Sequence, residues 1–255
     1  MDNGKLTAAE WHHRFMQQTA WTNNLRNYLF NRISLKSNPR ILEVGCGTCA
    51  VLSQIHNENY RKFGIDIDIE FLKFGLTHFN YLHLVHGNGL SLPFPSQIFD
   101  LVFCHYLLLW VDNPIRILQE IARVGKPGSK VIILAEPDYG GRIDYPPPLQ
   151  ELGKAQIEGL QRQGADPFIG RKIRELTISA GMTILEHGVL NSQSEMGIDQ
   201  EFIDSEWQML EYDLSNQLSN NDIQHFKQID LEAWKHGIRV LFVPIFYLLA
   251  EIRES

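Results

Sequence analysis

The sequence predicts an α/β fold built on a doubly wound, mostly parallel sheet. From residue 40 to residue 190, short apolar segments alternate with amphipathic segments of helical spacing, and this alternation is typical of parallel strands joined by helices. The first strand runs directly into Gly45-Cys46-Gly47. A glycine-rich turn between a strand and a helix lets the backbone approach a ligand closely and presents unpaired N–H groups to it. We therefore expect a ligand site at this turn.

The elements before and after the glycine turn follow from spacing. Thr7 can cap a helix over residues 7–33, in which aromatic and aliphatic residues recur at helical intervals. Pro39 ends that segment, and Arg40–Val44 predicts the first strand. The apolar positions after the turn predict the buried face of a second helix; they are Ala50, Val51, Leu52 and Ile55.

The rest of the alternation predicts four more parallel strands, over residues 61–67, 81–86, 99–104 and 130–135, with helices over 69–76 and from Asn113-Pro114 onward. Asp68 can cap the first of these helices. The regularity stops at Glu136. Beyond it we expect a short helix over 149–161, a helix over 168–180, a strand over 182–188, polar helices over 199–213 and 219–236, and a final strand over 238–248. Pro244 inside that last strand predicts a bulge or a break.

Composition and net charge limit the classes of function and ligand that the sequence favours. The 255 residues carry a net charge of -7, which does not favour broad binding to a phosphate backbone, so a small molecule is preferred over nucleic acid. No run of 18 apolar residues suggests a membrane helix, and three cysteines do not form a disulfide framework. With no linker or repeat visible, we expect one domain over residues 1–255, a cytoplasmic location and no signal peptide.

Two cofactors compete for the glycine turn. Gly45-x-Gly47-x-x-Ala50 satisfies a dinucleotide fingerprint loosely, and Asp66 lies near the expected distance downstream. Glu43, two residues before the first glycine, would place negative charge beside a pyrophosphate. The same charge suits a cofactor that carries a sulfonium and an ammonium group, and this favours S-adenosylmethionine.

Four segments in order resemble the class I S-adenosylmethionine-dependent methyltransferases, and the small-molecule branch that includes the quinone-biosynthesis enzymes is the most similar. They are residues 43–48 with Glu-Val-Gly-Cys-Gly-Thr, 64–66 with Gly-Ile-Asp, 87–94 with Gly-Asn-Gly-Leu-Ser-Leu-Pro-Phe, and 120–128 before strand five. The resemblance covers about residues 40–190. It implies a Rossmann-like seven-stranded sheet with an antiparallel last strand and helices on both faces.

The resemblance also implies the cofactor contacts. Asp66 would bind the ribose hydroxyls and Asn88, where the family usually has aspartate, would meet the adenine amino group. His105 follows strand four and would line the wall near the sulfonium through its backbone. The full set of expected cofactor-binding residues is Glu43, Gly45, Cys46, Gly47, Asp66, Ile67, Asn88, Gly89, Leu90 and His105.

The methyl acceptor would be a small molecule, and an O, N or C nucleophile on it would displace the methyl group in line, leaving S-adenosylhomocysteine. Three segments are available to cover it: an N-terminal helical lid over 1–36, the insertion over 137–167 and the helices over 191–236. Within them, Asp138 could receive a cationic amine and Arg142 a carboxylate, and each could equally be a residue that stabilises its own loop. The candidate pocket residues are Trp11, His12, Phe15, Tyr106, Asp138, Tyr139 and Arg142.

Several signals are discounted and some questions stay open. Cys46-x-x-Cys49 lies inside the glycine turn, so we assign it no metal or redox role, and we expect no metal site. A protein base is needed only if the acceptor loses a proton during attack, so no catalytic side chain is assigned. A nicotinamide-dependent reductase and a non-catalytic cofactor-binding partner protein remain as alternatives. The oligomeric state is left unassigned.

Overall fold

A computed structural model describes residues 6–190, 200–215 and 217–253. Its main sheet has seven strands in the order β3-β2-β1-β4-β5-β9-β7, and β6 pairs separately with β8. Neighbouring strands from β3 to β5 are parallel, whereas β9 is antiparallel to both β5 and β7. The predicted seven-stranded sheet with an antiparallel last strand is confirmed. The strands are β1 Arg40–Val44, β2 Arg61–Asp66, β3 His83–His86, β4 Phe99–Cys104, β5 Gly125–Pro137, β6 Ile143–Tyr145, β7 Met182–Leu190, β8 Val240–Phe242 and β9 Ile245–Ile252.

The helices largely follow the predicted segments. They are α1 Ala8–Trp21, α2 Asn23–Arg32, α3 Ile69–His78, α4 Pro114–Val124, α5 Leu149–Arg162, α6 Ile173–Ser179, α7 Gln200–Leu214 and α8 Asn220–Lys235. The single helix predicted over 7–33 is wrong, because the chain breaks at Thr22, whose hydroxyl donates back to the carbonyls of Gln18 and Thr19. Such side-chain bonds compete with the helical ladder.

The helix predicted after β1 is also wrong. The segment forms only turns and a short 3₁₀ helix, Leu52–Gln54. Cys49 takes a positive φ of 67°, which a continuous right-handed helix does not allow. The backbone N–H of Leu52 donates to the carboxylate of Glu43 at 3.1 Å, so it is not available for a helical bond. The four apolar side chains predicted for the inner face are nevertheless all buried.

Side chains alternate along the strands between two apolar layers. One layer packs the sheet against α4 and α6. The other packs it against α2, α3 and the 3₁₀ turn after β1. Helices therefore cover both faces, as predicted, and the carboxyl edge of the parallel strands is left to the connecting loops. Open α/β sheets bind ligands at that edge.

A third apolar cluster lies in the segments beyond β5. It joins α5, α7 and α8 around Trp207, whose side chain is fully buried. The predicted final strand divides at Pro244 into β8 and β9, and β8 pairs with β6 in a small separate sheet. The predicted break at Pro244 is confirmed. Residues 1–5 of the expected lid and 191–199 of the expected pocket helices lie outside the described residues.

Within the described ranges, none of the helices combines the length and the apolar character needed to span a membrane.

Candidate active site

The glycine turn is fastened to the carboxyl end of β2. The N–H groups of Gly45 and Cys46 both donate to the carbonyl of Ile65, at 2.9 and 3.0 Å. Gly45 and Gly47 have φ angles of +73° and +50°, a region that residues with a Cβ rarely adopt. A Cβ at Gly45 would lie 2.6 Å from Leu107 Cδ1. Both glycines are therefore required for this path of the backbone.

Asp66 links the glycine turn to the start of α3. Its carboxylate accepts the N–H of Gly47 at 2.6 Å and the N–H of Asp68 at 2.8 Å. Burial raises the pKa of Asp66, and these backbone bonds oppose the rise. Asp68 caps α3 by accepting from Glu70 and Phe71, which confirms the predicted cap. The structure thus places the Asp66 carboxylate directly beside the glycine turn.

Glu43 and Arg26 are two buried ionisable side chains that contact the segment after the glycine turn. Glu43 is 2% exposed and Arg26 is 3% exposed. Burial raises the pKa of Glu43 well above its usual value, and the charge of Arg26 opposes that rise. Arg26 donates to the side chains of Asn23 and Gln54, at 2.9 and 2.6 Å. Sequence reasoning missed Arg26, because its position in α2 carries no motif.

The loop after β3 lies against β2. The N–H of Gly87 donates to the carbonyl of Asp66 at 2.9 Å, and the side-chain oxygen of Asn88 accepts from Leu90 at 2.9 Å. A Cβ at Gly89 would lie 2.7 Å from Ile117 Cδ1. Ile67 is 67% exposed beside this loop. The structure therefore brings the residues expected at the ribose and adenine ends to one corner of the sheet.

The turn after β4 is organised by Glu136, a residue that sequence reasoning did not select. Its fully buried carboxylate accepts three successive backbone N–H groups, from Leu107, Leu108 and Leu109, at 3.0, 2.8 and 3.2 Å. Burial raises the pKa of Glu136 to about 8. Tyr106, the residue before these three, has a positive φ of 49°. A bulky residue in that region is strained, and such strain often accompanies functional sites.

His105 faces α2. Its Nε2 lies 3.2 Å from the hydroxyl of Thr22. Burial and the nearby charge of Arg26 lower the pKa of His105 to about 3, so the imidazole is neutral at physiological pH. The side chain is thus occupied in joining β4 to α2.

The helix α1 lies across the glycine turn. The Nδ1 of His12 is 2.8 Å from the hydroxyl of Thr48. The ring of Phe15 would lie 3.2 Å from a Cβ at Gly47. Trp11 stacks on Phe15 at 5.5 Å between ring centroids. The three expected lid residues therefore cluster over the turn that they were expected to cover.

Two expected pocket residues are held in ion pairs within the protein. The carboxylate of Asp138 accepts two hydrogen bonds from the guanidinium of Arg171, at 2.5 and 2.7 Å, and it also accepts the backbone N–H of Gly140. Arg142 pairs with the carboxylate of Asp144 at 2.5 and 3.1 Å and also contacts Gln156. The structure thus corrects the expectation that Asp138 and Arg142 are available to a ligand amine and a ligand carboxylate. Sequence alone could not show these partners.

The cysteines of the Cys-x-x-Cys segment are buried free thiols, as is Cys104. Cys46 and Cys49 pack against Gly64 and Gly75. The pKa of the Cys46 thiol is raised well above its usual value by a hydrogen bond with Cys49 and by burial, so the reactive thiolate is disfavoured. Among the described residues, no group of three or more His, Cys, Asp or Glu side chains is arranged to hold a metal ion.

Comparison with known proteins identifies the central segment. Residues 42–133 match the family model described as a methyltransferase domain. These residues are therefore similar to a methyltransferase domain. They contain the glycine turn, Asp66, the Asn88 loop and the turn after β4, which are the features that meet at the carboxyl edge of the sheet.

The domain has a curated relative, the demethylmenaquinone methyltransferase of Anoxybacillus flavithermus. The two are 33% identical over 128 residues, which is 47% of this chain and 52% of the relative. A second, from Lysinibacillus sphaericus, is 31% identical over 126 residues. The chain spans about half the length of the curated relatives it matches.

Solved structures extend the similarity of fold over nearly the whole chain. A methyltransferase structure described as putative, from Bacillus halodurans, aligns with a TM-score of 0.62 and 15% identity, covering 89% of this chain and 98% of that one. The [4+2]-cyclase SpnF aligns with a TM-score of 0.60 and 18% identity over 91% of this chain and 81% of that one. At these identities the likeness shows the fold, and chemistry has to be argued from the site.

Proposed function

We propose that the protein is an S-adenosylmethionine-dependent methyltransferase that acts on a small molecule. One observation carries the proposal: the Asp66 carboxylate lies 2.6 Å from the N–H of Gly47 inside the segment that matches the methyltransferase family. A single acidic side chain is thereby held beside a glycine turn at the carboxyl edge of the sheet. This is the arrangement that suits a sugar with two neighbouring hydroxyl groups next to a compact zwitterionic tail.

The residues present fit that cofactor. Gly45 and Gly47 keep the turn free of side chains, and Asp66 offers carboxylate oxygens to ribose hydroxyls. Arg26 and Glu43 are buried near the turn, where a guanidinium and a carboxyl group would suit the carboxylate and ammonium of a methionine tail. Cys46 contributes its backbone at the same turn.

The adenine end would be held by the loop after β3. Asn88, Gly89 and Leu90 would contact the adenine, and the exposed apolar side chain of Ile67 would lie on one side of it. The backbone at His105 would complete the wall near the sulfonium.

When bound, S-adenosylmethionine supplies an electrophilic methyl group on a sulfonium. The protein's own task is then to align an acceptor and to exclude water, and alignment alone can lower a barrier by roughly 7–11 kcal/mol. Tyr106, at positive φ after β4, and Tyr139, after β5, would position the acceptor. His105 is bonded to Thr22, and because its pKa is lowered to about 3, its imidazole accepts a proton poorly at neutral pH. We therefore assign no general base and leave an O, N or C nucleophile open.

We propose that residues 1–36 serve as the lid and that 137–167 and 191–236 shape the acceptor pocket of a single domain over 1–255. Trp11, His12 and Phe15 support the lid, because they contact or cover the glycine turn and α3. Asp138 and Arg142 would support the pocket indirectly, through their internal ion pairs. The net charge of -7 and the three free cysteines support a small-molecule acceptor, no nucleic acid and a cytoplasmic location.

A thermal-shift panel tests the cofactor. S-adenosylhomocysteine should raise the melting temperature of the wild type, whereas NADH and NADPH should not. Asp66→Ala should lose most of the shift, because a carboxylate bonded to two hydroxyls contributes on the order of 1.5–3 kcal/mol. Asp68→Ala is the matched control: it removes a neighbouring carboxylate that caps α3, and it should keep the ligand-induced shift even if the basal melting temperature falls.

The panel also separates the alternatives. A shift with NADH and none with S-adenosylhomocysteine would contradict the proposal in favour of a reductase. A shift with S-adenosylhomocysteine and no transfer of a radiolabelled methyl group to any amine, phenol or carboxylic acid would instead indicate a non-catalytic cofactor-binding protein.

A further inference from the structure

The acceptor side of the site contains an arginine that is only partly used by the protein. Arg14 extends from α1, the helix over the glycine turn, and its side chain is 11% exposed. Its Nη1 pairs with the carboxylate of Glu206 on α7 at 2.5 Å and reaches the hydroxyl of Ser205 at 3.4 Å. The guanidinium also lies 4.9 Å from the ring centroid of Trp21. Arg14 is therefore fixed in place by α7 and by an aromatic face.

The other edge of that guanidinium is unused. Among the described residues, neither Nε nor Nη2 of Arg14 has a hydrogen-bond partner, and Nε is buried. Nε and Nη2 are the two nitrogens that form parallel hydrogen bonds to a carboxylate. A buried donor without a partner is costly, and here the unpaired edge matches one particular chemical group.

Two tyrosine hydroxyls of the segments that follow β4 and β5 are also unpaired within the described residues. Neither Tyr106 nor Tyr139 has a hydrogen bond from its hydroxyl to any part of the chain that the structure describes, although both side chains are partly buried. The charges of Arg14 and Glu206 act on the pKa values of both tyrosines, and burial is the largest cause that raises them. The two phenols thus lie in the field of the ion pair between α1 and α7.

The acidic groups of this site already have partners. Glu206 is neutralised by Arg14. Asp213 accepts the side-chain amides of Gln156 and Gln163, each at 2.9 Å. The groups left over are one guanidinium edge, which can only donate, and two tyrosine hydroxyls, which can donate or accept. A carboxylate would accept from all three, whereas an ammonium group would lie beside the positive charge of the guanidinium.

We propose that the methyl acceptor carries a carboxylate, which binds the Nε–Nη2 edge of Arg14 and the hydroxyls of Tyr106 and Tyr139. This inference rests on the proposed function, since it identifies the acceptor of that same site. Phe15 of the same helix lies over Gly47, so a carboxylate held by Arg14 would anchor one end of the acceptor on the helix that covers the glycine turn. Glu206 competes with the ligand for the same cation and thereby limits its affinity.

The experiment measures the binding of matched probes to the full chain by calorimetry, with saturating S-adenosylhomocysteine. Benzoate, phenylacetate and 4-hydroxybenzoate are compared with their primary amides and with benzylamine. We expect the carboxylates to bind at least about 10-fold more tightly than the amides, because a bidentate charged pair is lost in the amide. Equal affinity for the two, or tighter binding of the amine, would overturn the proposal.

Two variants should change the affinity for carboxylates in opposite directions. Arg14→Gln should remove the preference for carboxylates and leave the amides unchanged, whereas Glu206→Gln should strengthen carboxylate binding. Arg14→Lys keeps the charge without the planar edge and should retain only part of the preference. Arg162→Gln, at an exposed arginine on α5, is the control and should match the wild type. An unchanged preference in Arg14→Gln, or weaker carboxylate binding in Glu206→Gln, would contradict the assignment.

A separate measurement of cofactor binding distinguishes failure of the proposed function from failure of this inference. The affinity for S-adenosylhomocysteine is measured on each variant before the probes are added, and it should be the same in all of them. Absence of that binding would refute the methyltransferase proposal, while the ratio of carboxylate to amide affinity is recorded in either case and decides the present inference.

Discussion

Two regions of the molecule are held together by carboxylates in different ways. In the cofactor region, which we define as residues 40–137, Glu43, Asp66, Glu120 and Glu136 each accept N–H groups from the backbone of a neighbouring loop. In the helical region, residues 138–242 as described, the buried carboxylates of Asp144 and Asp230 pair with arginine side chains. Arg239 bridges Asp144 and Asp230 there, and its side chain is 2% exposed.

This difference explains why the interactions of one region can be predicted from the sequence and those of the other cannot. A carboxylate that stands at a set distance from a glycine appears as a motif, as Glu43 and Asp66 do. Arg239 and Asp144 are 95 positions apart, and Arg14 and Glu206 are 192 apart. Ion pairs of that kind leave no local pattern. The cofactor region is thus specified by short-range chemistry and the helical region by its tertiary contacts.

The largest expected effect comes from breaking the ion pairs of the helical region. Arg239→Met leaves the buried carboxylates of Asp144 and Asp230 without this partner, which should reduce the free energy of unfolding by about 3–5 kcal/mol. Urea denaturation followed by circular dichroism measures it. Lys235→Met, which removes an exposed pair with Glu232, should change stability by less than about 0.5 kcal/mol.

If the two regions are independent, the same variant should keep its cofactor site while it remains folded. The affinity of Arg239→Met for S-adenosylhomocysteine at low temperature should then equal that of the wild type. A loss of stability below about 1 kcal/mol would show that the buried ion pairs do not hold the helical region together.

A pH effect of intermediate size is expected where the cofactor region meets α2. The pKa of His105 falls from 6.5 to about 3 on folding. Below pH 6.5 the unfolded chain binds a proton at this site and the folded chain does not, so stability declines as the pH falls from 6.5 towards 3. Between pH 6.5 and pH 5 this group should account for roughly 1–1.5 kcal/mol of the decline.

His105→Asn removes that titration and keeps a polar group for Thr22, so the variant should lose less stability than the wild type between pH 6.5 and pH 5. Urea unfolding at the two pH values measures the difference. His56→Asn, at an exposed position, is the control. A decline in His105→Asn as steep as in the wild type would show that this histidine is not held neutral.

The smallest effect concerns the one departure from the family's usual cofactor residues. Asn88→Asp replaces a neutral acceptor with a charged one opposite the adenine amino group, and charged hydrogen bonds are stronger by about 1 kcal/mol. Calorimetry should show binding of S-adenosylhomocysteine tightened by about 5-fold. Asn24→Asp adds the same charge at an exposed position on α2 and should leave affinity unchanged. Weaker binding in Asn88→Asp would place the adenine elsewhere.

Much of the cofactor region could be predicted from the sequence, and its exceptions have local causes. The strands and the capping role of Asp68 followed from periodicity and spacing, because both are set within a few residues. The helix expected after β1 was wrong, since the sequence did not reveal that Glu43 binds the N–H of Leu52. Glu136 was interpreted only as the end of a strand, although its carboxylate accepts the backbone N–H groups of three residues after β4.

The helical region was predictable only as a set of elements. The helices and the break at Pro244 were correct, because they depend on hydrophobic spacing and on the missing N–H of proline. The use of its charged residues was not predictable. Asp138 and Arg142 look like ligand groups in a Gly- and Pro-rich loop, and only the folded chain brings Arg171 and Asp144 to them.

The most direct test of the account is a crystal structure with S-adenosylhomocysteine. We predict the ribose hydroxyls within hydrogen-bonding distance of the Asp66 carboxylate, the adenine at Asn88–Leu90, and the methionine tail over Gly45–Gly47 with its charges facing Arg26 and Glu43. A crevice that stays empty at saturating ligand, or a ribose that makes no contact with Asp66, would contradict the claim that this edge of the sheet is the cofactor site.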